Sequence, residues 1–93
     1  MTSPLEDIRV CDVTQNLAGP FCAQILADLG ATVIKVEPPG GDLGRLWGPP
    51  FWGEDSTLFL SANRGKRSII LDLKQKEGMD VLQRIGALSD VFI

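Results

Sequence analysis

Ile8-Arg9-Val10-Cys11-Asp12-Val13-Thr14, then Gly19-Pro20, then Thr32-Val33-Ile34-Lys35-Val36-Glu37, is the stretch that decides the fold. The first segment carries apolar Ile8, Val10 and Val13 in a β-branched run and reads as a buried strand. Gly19-Pro20 marks a turn into a helix, with Pro20 suited to the first helical position because its missing N–H is not needed there. Phe21, Ile25, Leu26 and Leu29 recur at helical spacing, and Gly30 is placed to cap the helix end. The second β-branched segment completes a βαβ unit, for which a parallel sheet and a right-handed crossover are expected.

The pattern continues downstream. Pro38 to Ser56 is rich in glycine and proline and reads as a long loop; loops of that length without secondary structure are uncommon and often functional. Thr57–Asn63 suggests a short helix, Ser68–Leu73 a third strand, and Gln75–Leu88 a helix with Met79, Leu82, Ile85 and Leu88 on one face. Asp90–Ile93 opens a fourth strand. The expected fold is therefore α/β, an open parallel sheet built of βαβ units. Residues 1–93 form one unit of it, truncated inside an apolar strand where a polar linker would be usual.

Composition narrows the function. With 44% hydrophobic and 23% charged residues the chain is ordinary for a globular protein and unlike a disordered one. Its net charge of −3 supplies no positive field to gather phosphates, which argues against a nucleic-acid partner. No segment approaches the ~20 apolar residues of a membrane helix, and no leader pattern opens the chain, so a cytoplasmic protein is expected. Cys11 and Cys22 follow no metal-ligand spacing and read as buried small hydrophobes in a reducing compartment. No metal site is indicated.

In open α/β sheets ligands bind beyond the carboxyl ends of the strands, which directs attention to three segments. Thr14–Gly19 joins the first strand to its helix and is either a plain βα turn or, through Ala18, Gly19 and the helix N-terminus, an anion-friendly edge. It lacks G-x-G-x-x-G, so dinucleotide binding in the usual manner is not expected, although Glu37 stands where a ribose-binding acid would. Glu37–Asp42 leads on to Arg45. Asn63–Ser68 places Arg64, Lys66 and Arg67 within four residues. That cluster is either a solvated basic turn or a holder of phosphate or carboxylate groups. Asp12 is either functional or a structural hydrogen-bonding acid. The chain contains no histidine, which removes Ser-His-Asp and Cys-His arrangements, and no catalytic residue is identified.

Taken in order, several segments resemble one family. They are Pro4–Thr14, Leu17–Cys22, Leu26–Ala31, Val33–Asp42, Trp47–Phe51, Asn63–Ile69 and Leu71–Lys74. Their order and spacing are similar to the start of family III CoA-transferases (CaiB/BaiF), which include formyl-CoA transferase and α-methylacyl-CoA racemase. The resemblance covers essentially the whole chain. It implies the N-terminal part of a Rossmann-like domain in a longer subunit that pairs as an interlocked homodimer. It also implies acyl-CoA as substrate with no tightly bound cofactor, and a carboxylic acid as acceptor. In that scheme an aspartate outside this stretch forms an anhydride and then an enzyme–CoA thioester before the acceptor takes CoA.

The resemblance places CoA contacts at Leu17 and Ala18, near the thioester end, and at Leu71, Asp72, Leu73 and Lys74, near the nucleotide. This chain departs from the family at Pro38, where an arginine is frequent; that cation contact is either lost or taken over by Arg45 or Arg67. It also has Leu17 where formyl-CoA transferase has glutamine. The Trp47–Phe51 loop with Glu54–Thr57 looks more like transferases of dicarboxylates such as succinate and glutarate. A racemase-type isomerase and a non-catalytic nucleotide-binding module are the alternatives.

Overall fold

The computed structural model describes residues 3–93. Four parallel strands form the sheet: β1 (Arg9–Asp12), β2 (Thr32–Glu37), β5 (Arg67–Ile70) and β6 (Val91–Phe92), in the order β5-β2-β1-β6. Between β2 and β5 lie a 3-10 turn (Leu43–Leu46), a small hairpin of β3 (Phe51–Trp52) and β4 (Asp55–Ser56), and helix α2 (Thr57–Ala62). Helices α1 (Ala18–Asp28) and α3 (Lys76–Ala87) make the crossovers. The expected α/β parallel sheet is therefore present. β2 has the expected bounds, while two other strands end earlier than the sequence suggests, β1 at Asp12 rather than Thr14 and β5 at Ile70 rather than Leu73.

Successive residues of a strand face opposite sides of the sheet, so Val10 and Asp12 share a face with Val33, Lys35 and Glu37. At the amino-terminal end this face is apolar: Val10, Val33, Ala31 and Ala23 of α1 form the buried core, with Leu5, Ile8, Leu26 and Ala27 around it. Toward the carboxyl end the same face becomes ionic. On the opposite face α3 lies over Ile34 and leaves a gap of about 220 Å³ lined in part by Ile85 and Leu88. None of its residues is fully buried.

Helix α1 begins two residues before the expected start, so Pro20 is its third residue, still within the first turn where no N–H is required. Its end is a Schellman motif: Gly30, at φ 107°, donates to Ala27 O at 3.0 Å, and Ala31 donates to Leu26 O at 3.0 Å. The helix docks through Pro20, Ala23 and Gln24, small or polar residues that permit a close approach to the sheet. Phe21, Ile25 and Leu29, expected to mark the inner face, remain 47%, 46% and 42% exposed; only Leu26 of that set packs on the core. Cys22 is likewise exposed and Cys11 buried, correcting the expectation that both are interior. In α3, Leu82 and Ile85 turn inward as the pattern predicts, while Met79 and Leu88 are exposed.

The long middle segment is more ordered than a loop. Gly40 and Gly41, at φ 91° and 90°, close a turn in which Gly41 donates to Pro38 O at 2.8 Å. Asp42 caps the 3-10 turn through Gly44 N, and Ser56 caps α2 through Phe59 N.

Truncating Val33→Ala removes two methyl groups from the centre of the core and is expected to cost about 2 kcal/mol. Urea denaturation with an unchanged slope and a lower midpoint is the expected observation.

Candidate functional site

The ionic half of the sheet face sits at the carboxyl ends of β1 and β2. Three cation–carboxylate pairs occupy it. Lys66 Nζ lies 2.8 Å from Asp12 Oδ2, Lys35 Nζ 2.7 Å from Asp42 Oδ2, and Arg45 Nε 2.6 Å from Glu37 Oε1. The side chains of Asp12, Lys35, Glu37, Asp42 and Lys66 are all at most 2% exposed. Charges this dry persist only with close partners and further hydrogen bonds.

Those bonds are present. Asp42 Oδ1 accepts from Asn16 N at 2.9 Å and Gly44 N at 2.8 Å, while Lys35 Nζ also donates to Thr14 O at 3.1 Å. Glu37 is held by both Nε and Nη2 of Arg45, at 2.6 and 2.8 Å, by Asp42 N at 2.8 Å and by Ser68 Oγ. The Arg45 guanidinium in turn stacks 3.8 Å from the Phe59 ring centroid. Hydrogen bonding from Arg45, opposed by burial and assisted by Ser68 and the Asp42 amide, holds the Glu37 carboxyl at about 2. For Asp42, burial pushes the other way, yet hydrogen bonds from Lys35, Asn16 and Gly44 bring its carboxyl below the usual range.

The basic cluster at Asn63–Ser68 therefore needs correcting. Lys66 is neither solvated nor available to an external anion, because its three N–H donors are spent on Asp12 Oδ2, Pro20 O and Asn63 Oδ1, at 2.8, 2.9 and 2.8 Å. Arg64 forms an exposed pair with Asp28. Asp12 is the structural acid of the two readings the sequence left open, accepting also from Thr14 N and Thr14 Oγ1.

Immediately beyond this layer lies a cleft of about 420 Å³ lined by β1, β2 and β5 ends. Leu71, Asp72, Leu73 and Lys74 form one wall; Val13 and Gln15 stand on the β1 side, with Val36, Glu37, Pro38 and Pro39 contributed by β2 and its exit. The sequence assigned the first four to a ligand; Gln15, Glu37, Pro38 and Pro39 fall within the strand-end segments it marked, and Val13 and Val36 were not among its candidates. Pro38-Pro39 offered the available signal, a rigid apolar exit from a strand whose carboxyl end points at a ligand site. Leu17 and Ala18 lie elsewhere: Leu17 is the N-cap residue of α1, Ala18 its first residue, and neither lines the cleft. The walls are mostly apolar, the Glu37 carboxylate is already saturated, and of the two other charged residues Asp72 accepts from Lys74 N while Lys74 itself supplies the cation. Such a surface suits an apolar or heteroaromatic group that carries an anion at one end. The described residues include no cluster of His, Cys, Asp and Glu able to hold a metal.

The Asp72–Lys74 wall is set by two contacts. Lys74 N donates to Asp72 Oδ1 at 3.0 Å, and Gln75 N to Asp72 O at 3.1 Å. Gly78 of α3 presses on the same carbonyl, so that a Cβ there would lie 2.1 Å from Asp72 O.

A parallel α/β sheet with a cleft at its carboxyl edge defines the class, and comparison with known proteins defines the family. The model of CoA-transferase family III matches residues 5–93, and the chain belongs to that family. It is 50% identical over 91 residues to the human succinyl-CoA:glutarate CoA-transferase, covering 97% of this chain and 21% of that protein. The succinate–glutarate CoA-transferase of Agrobacterium fabrum is 50% identical over 97 residues, with 97% and 24% covered. Among solved structures, a CaiB/BaiF family protein from Brucella suis superposes with a TM-score of 0.94 at 46% identity, covering 99% of this chain and 25% of that one. The chain thus spans between a fifth and a quarter of the length of these proteins.

Two outcomes are expected from this geometry. Glu37, lowered from 4.5 to about 2, contributes stability that is complete above its unfolded value and is lost as pH falls through the folded one. The loss amounts to about 3 kcal/mol between roughly pH 5 and pH 2. Urea midpoints across that range should fall more steeply for the wild type than for Glu37→Gln, and equal slopes would contradict it. Gly78→Ala improves helix propensity yet should destabilise by about 1–3 kcal/mol through overpacking. Amide shift changes confined to Leu71–Lys74 and the start of α3 would show the wall moving.

Proposed function

We propose that this segment is the N-terminal quarter of a CoA-transferase that moves CoA between an acyl-CoA thioester and an acceptor carboxylate. The carrying observation is that Leu71–Lys74, assigned to CoA by resemblance, form one wall of the cleft at the carboxyl edge. The apolar walls suit the adenosine portion of CoA, and Lys74 suits a phosphate. Asp72 serves by its backbone and by holding Lys74 N. Leu17 and Ala18, on the turn that leads into α1, are assigned to the thioester end of the same substrate.

Similarity to proteins named for succinyl-CoA and glutarate supports a succinyl donor and a dicarboxylic acid acceptor. In the scheme the resemblance implies, an aspartate outside residues 1–93 attacks the thioester and is released when the acceptor takes CoA. Covalent catalysis divides one difficult exchange into easier steps. The carboxylates of the buried layer are unsuited to that attack, since each is committed to a cation and to N–H or O–H donors. The same reading makes the domain Rossmann-like, the enzyme a homodimer and its compartment the cytoplasm, where Cys11 and Cys22 stand as free thiols.

Titration of coenzyme A into the full-length protein tests this. Lys74→Glu should weaken binding about tenfold, or ~1.4 kcal/mol, and raise the KM for succinyl-CoA while leaving that for glutarate unchanged. An unaltered affinity would remove the cleft from the CoA site. The 93-residue chain by itself should exchange no CoA between succinyl-CoA and glutarate, and turnover by it would overturn the placement of the nucleophile.

A further inference from the structure

Thr14 is the residue between the two that form the β1 side of the cleft. Val13 and Gln15 line the cavity and Thr14 does not. Instead its hydrogen-bonding groups are all turned to the buried layer. Its N–H donates to Asp12 Oδ1 at 2.9 Å, its hydroxyl donates to the same oxygen, and its carbonyl accepts from Lys35 Nζ at 3.1 Å. Its side chain is pressed against Gly19, where a Cβ would stand 2.4 Å from Thr14 Cβ. The conformation of Thr14 therefore sets where its two neighbours point.

Asp12 can hold Thr14 in this way only if its own carboxylate is fixed. Lys66 does that. Its ammonium ties Asp12 Oδ2 to Pro20 O in the first turn of α1 and to Asn63 Oδ1 at the end of α2, so one group joins three elements. Both ends of the β1–α1 turn are thereby clamped, the near end through Thr14 and the far end through Pro20.

We infer that Asp12, Lys66 and Thr14 are positioning residues that hold Val13 and Gln15 in the arrangement that receives coenzyme A. None of the three touches the ligand in this assignment, which rests on the CoA site proposed above. Asp12 and Lys66 act through Thr14, and the Thr14 hydroxyl is the removable link.

The test is coenzyme A titration into the full-length protein, below the melting transition of every variant. Lys66→Met and Thr14→Val should weaken binding about fivefold or more, while Thr14→Ser, which keeps the hydroxyl, stays within about twofold of wild type. Val33→Ala, on the same sheet face but in the apolar core, serves as the destabilised control and should also bind within about twofold. Should Lys66→Met fail to fold, the contrast between Thr14→Val and Thr14→Ser decides the matter alone. Equal affinities for those two, or losses matched by Val33→Ala, overturn the inference. A normal affinity in Lys74→Glu overturns the CoA site and this inference with it; weakened binding there with an intact Thr14→Val overturns only this one.

Discussion

Three carboxylates and two ammonium groups buried over one sheet face need a third cation, the part-exposed Arg45, to balance them, and the carboxyl half of the molecule is arranged to supply it. Asp12 and Lys35 are opposite one another in the β1–β2 register, yet each takes its close partner from elsewhere, Lys66 and Asp42 respectively. To reach Lys35, the chain leaving β2 must reverse at once, which is what the Pro38–Gly41 turn and its two left-handed glycines accomplish. Arg45, one 3-10 turn later, then arrives on Glu37. The path of residues 38–46 follows from charge pairing more than from apolar burial: Leu43 and Leu46 in it are exposed.

The consequence for the site is rigidity on both sides of the cleft. Its β1 wall is fixed through Asp12, Lys35 and Asp42, which together hold Thr14 and Asn16. Its far wall is fixed through Asp72 and the glycine beneath it. Ligand-contacting segments that stay on rigid supports lose little freedom on binding, which leaves more of the contact energy for affinity.

How much of this the sequence displayed depends on whether the signal was periodic. The βαβ order and the parallel sheet were legible because β-branched runs alternate with helical spacing and because Gly30 and Pro20 punctuate α1. The docking face of α1 was not legible: the largest apolar residues drew attention, whereas the helix packs through the small Ala23 and Pro20 and through Gln24, which accepts from Arg64 N. The order within residues 38–56 was hidden for a related reason. Its hydrogen bonds run to Asp42, Glu37 and Ser56, and pairings across the fold leave no local period. Leu71–Lys74 were found only through family resemblance, yet they meet Val13, Gln15 and Pro38-Pro39 in one cavity. Lys66 was misjudged because a basic turn is ordinarily solvated, and nothing near it in sequence announces Asp12 fifty-four residues away.

Two shifts in the layer both run downward yet act oppositely on the charged form, and that difference bears on what the layer is for. Glu37 is stabilised as a carboxylate, since Arg45 and the other donors outweigh its burial. Lys66 is the reverse: burial outweighs Asp12 and lowers its ammonium below the usual range. Between that lowered value and 10.5 the unfolded chain binds the proton more readily than the folded one, so stability rises with pH there. Below both values the folded protein carries the full penalty of the buried ammonium. A methionine at position 66 would escape that penalty but leave Asp12 unpaired, at a cost of several kcal/mol. The Asp12–Lys66 pair thus adds little net stability as a charge pair. What it does supply is direction, three hydrogen bonds from one nitrogen to β1, α1 and the end of α2, and no apolar side chain of the same volume would hold the turn at Thr14 in one orientation.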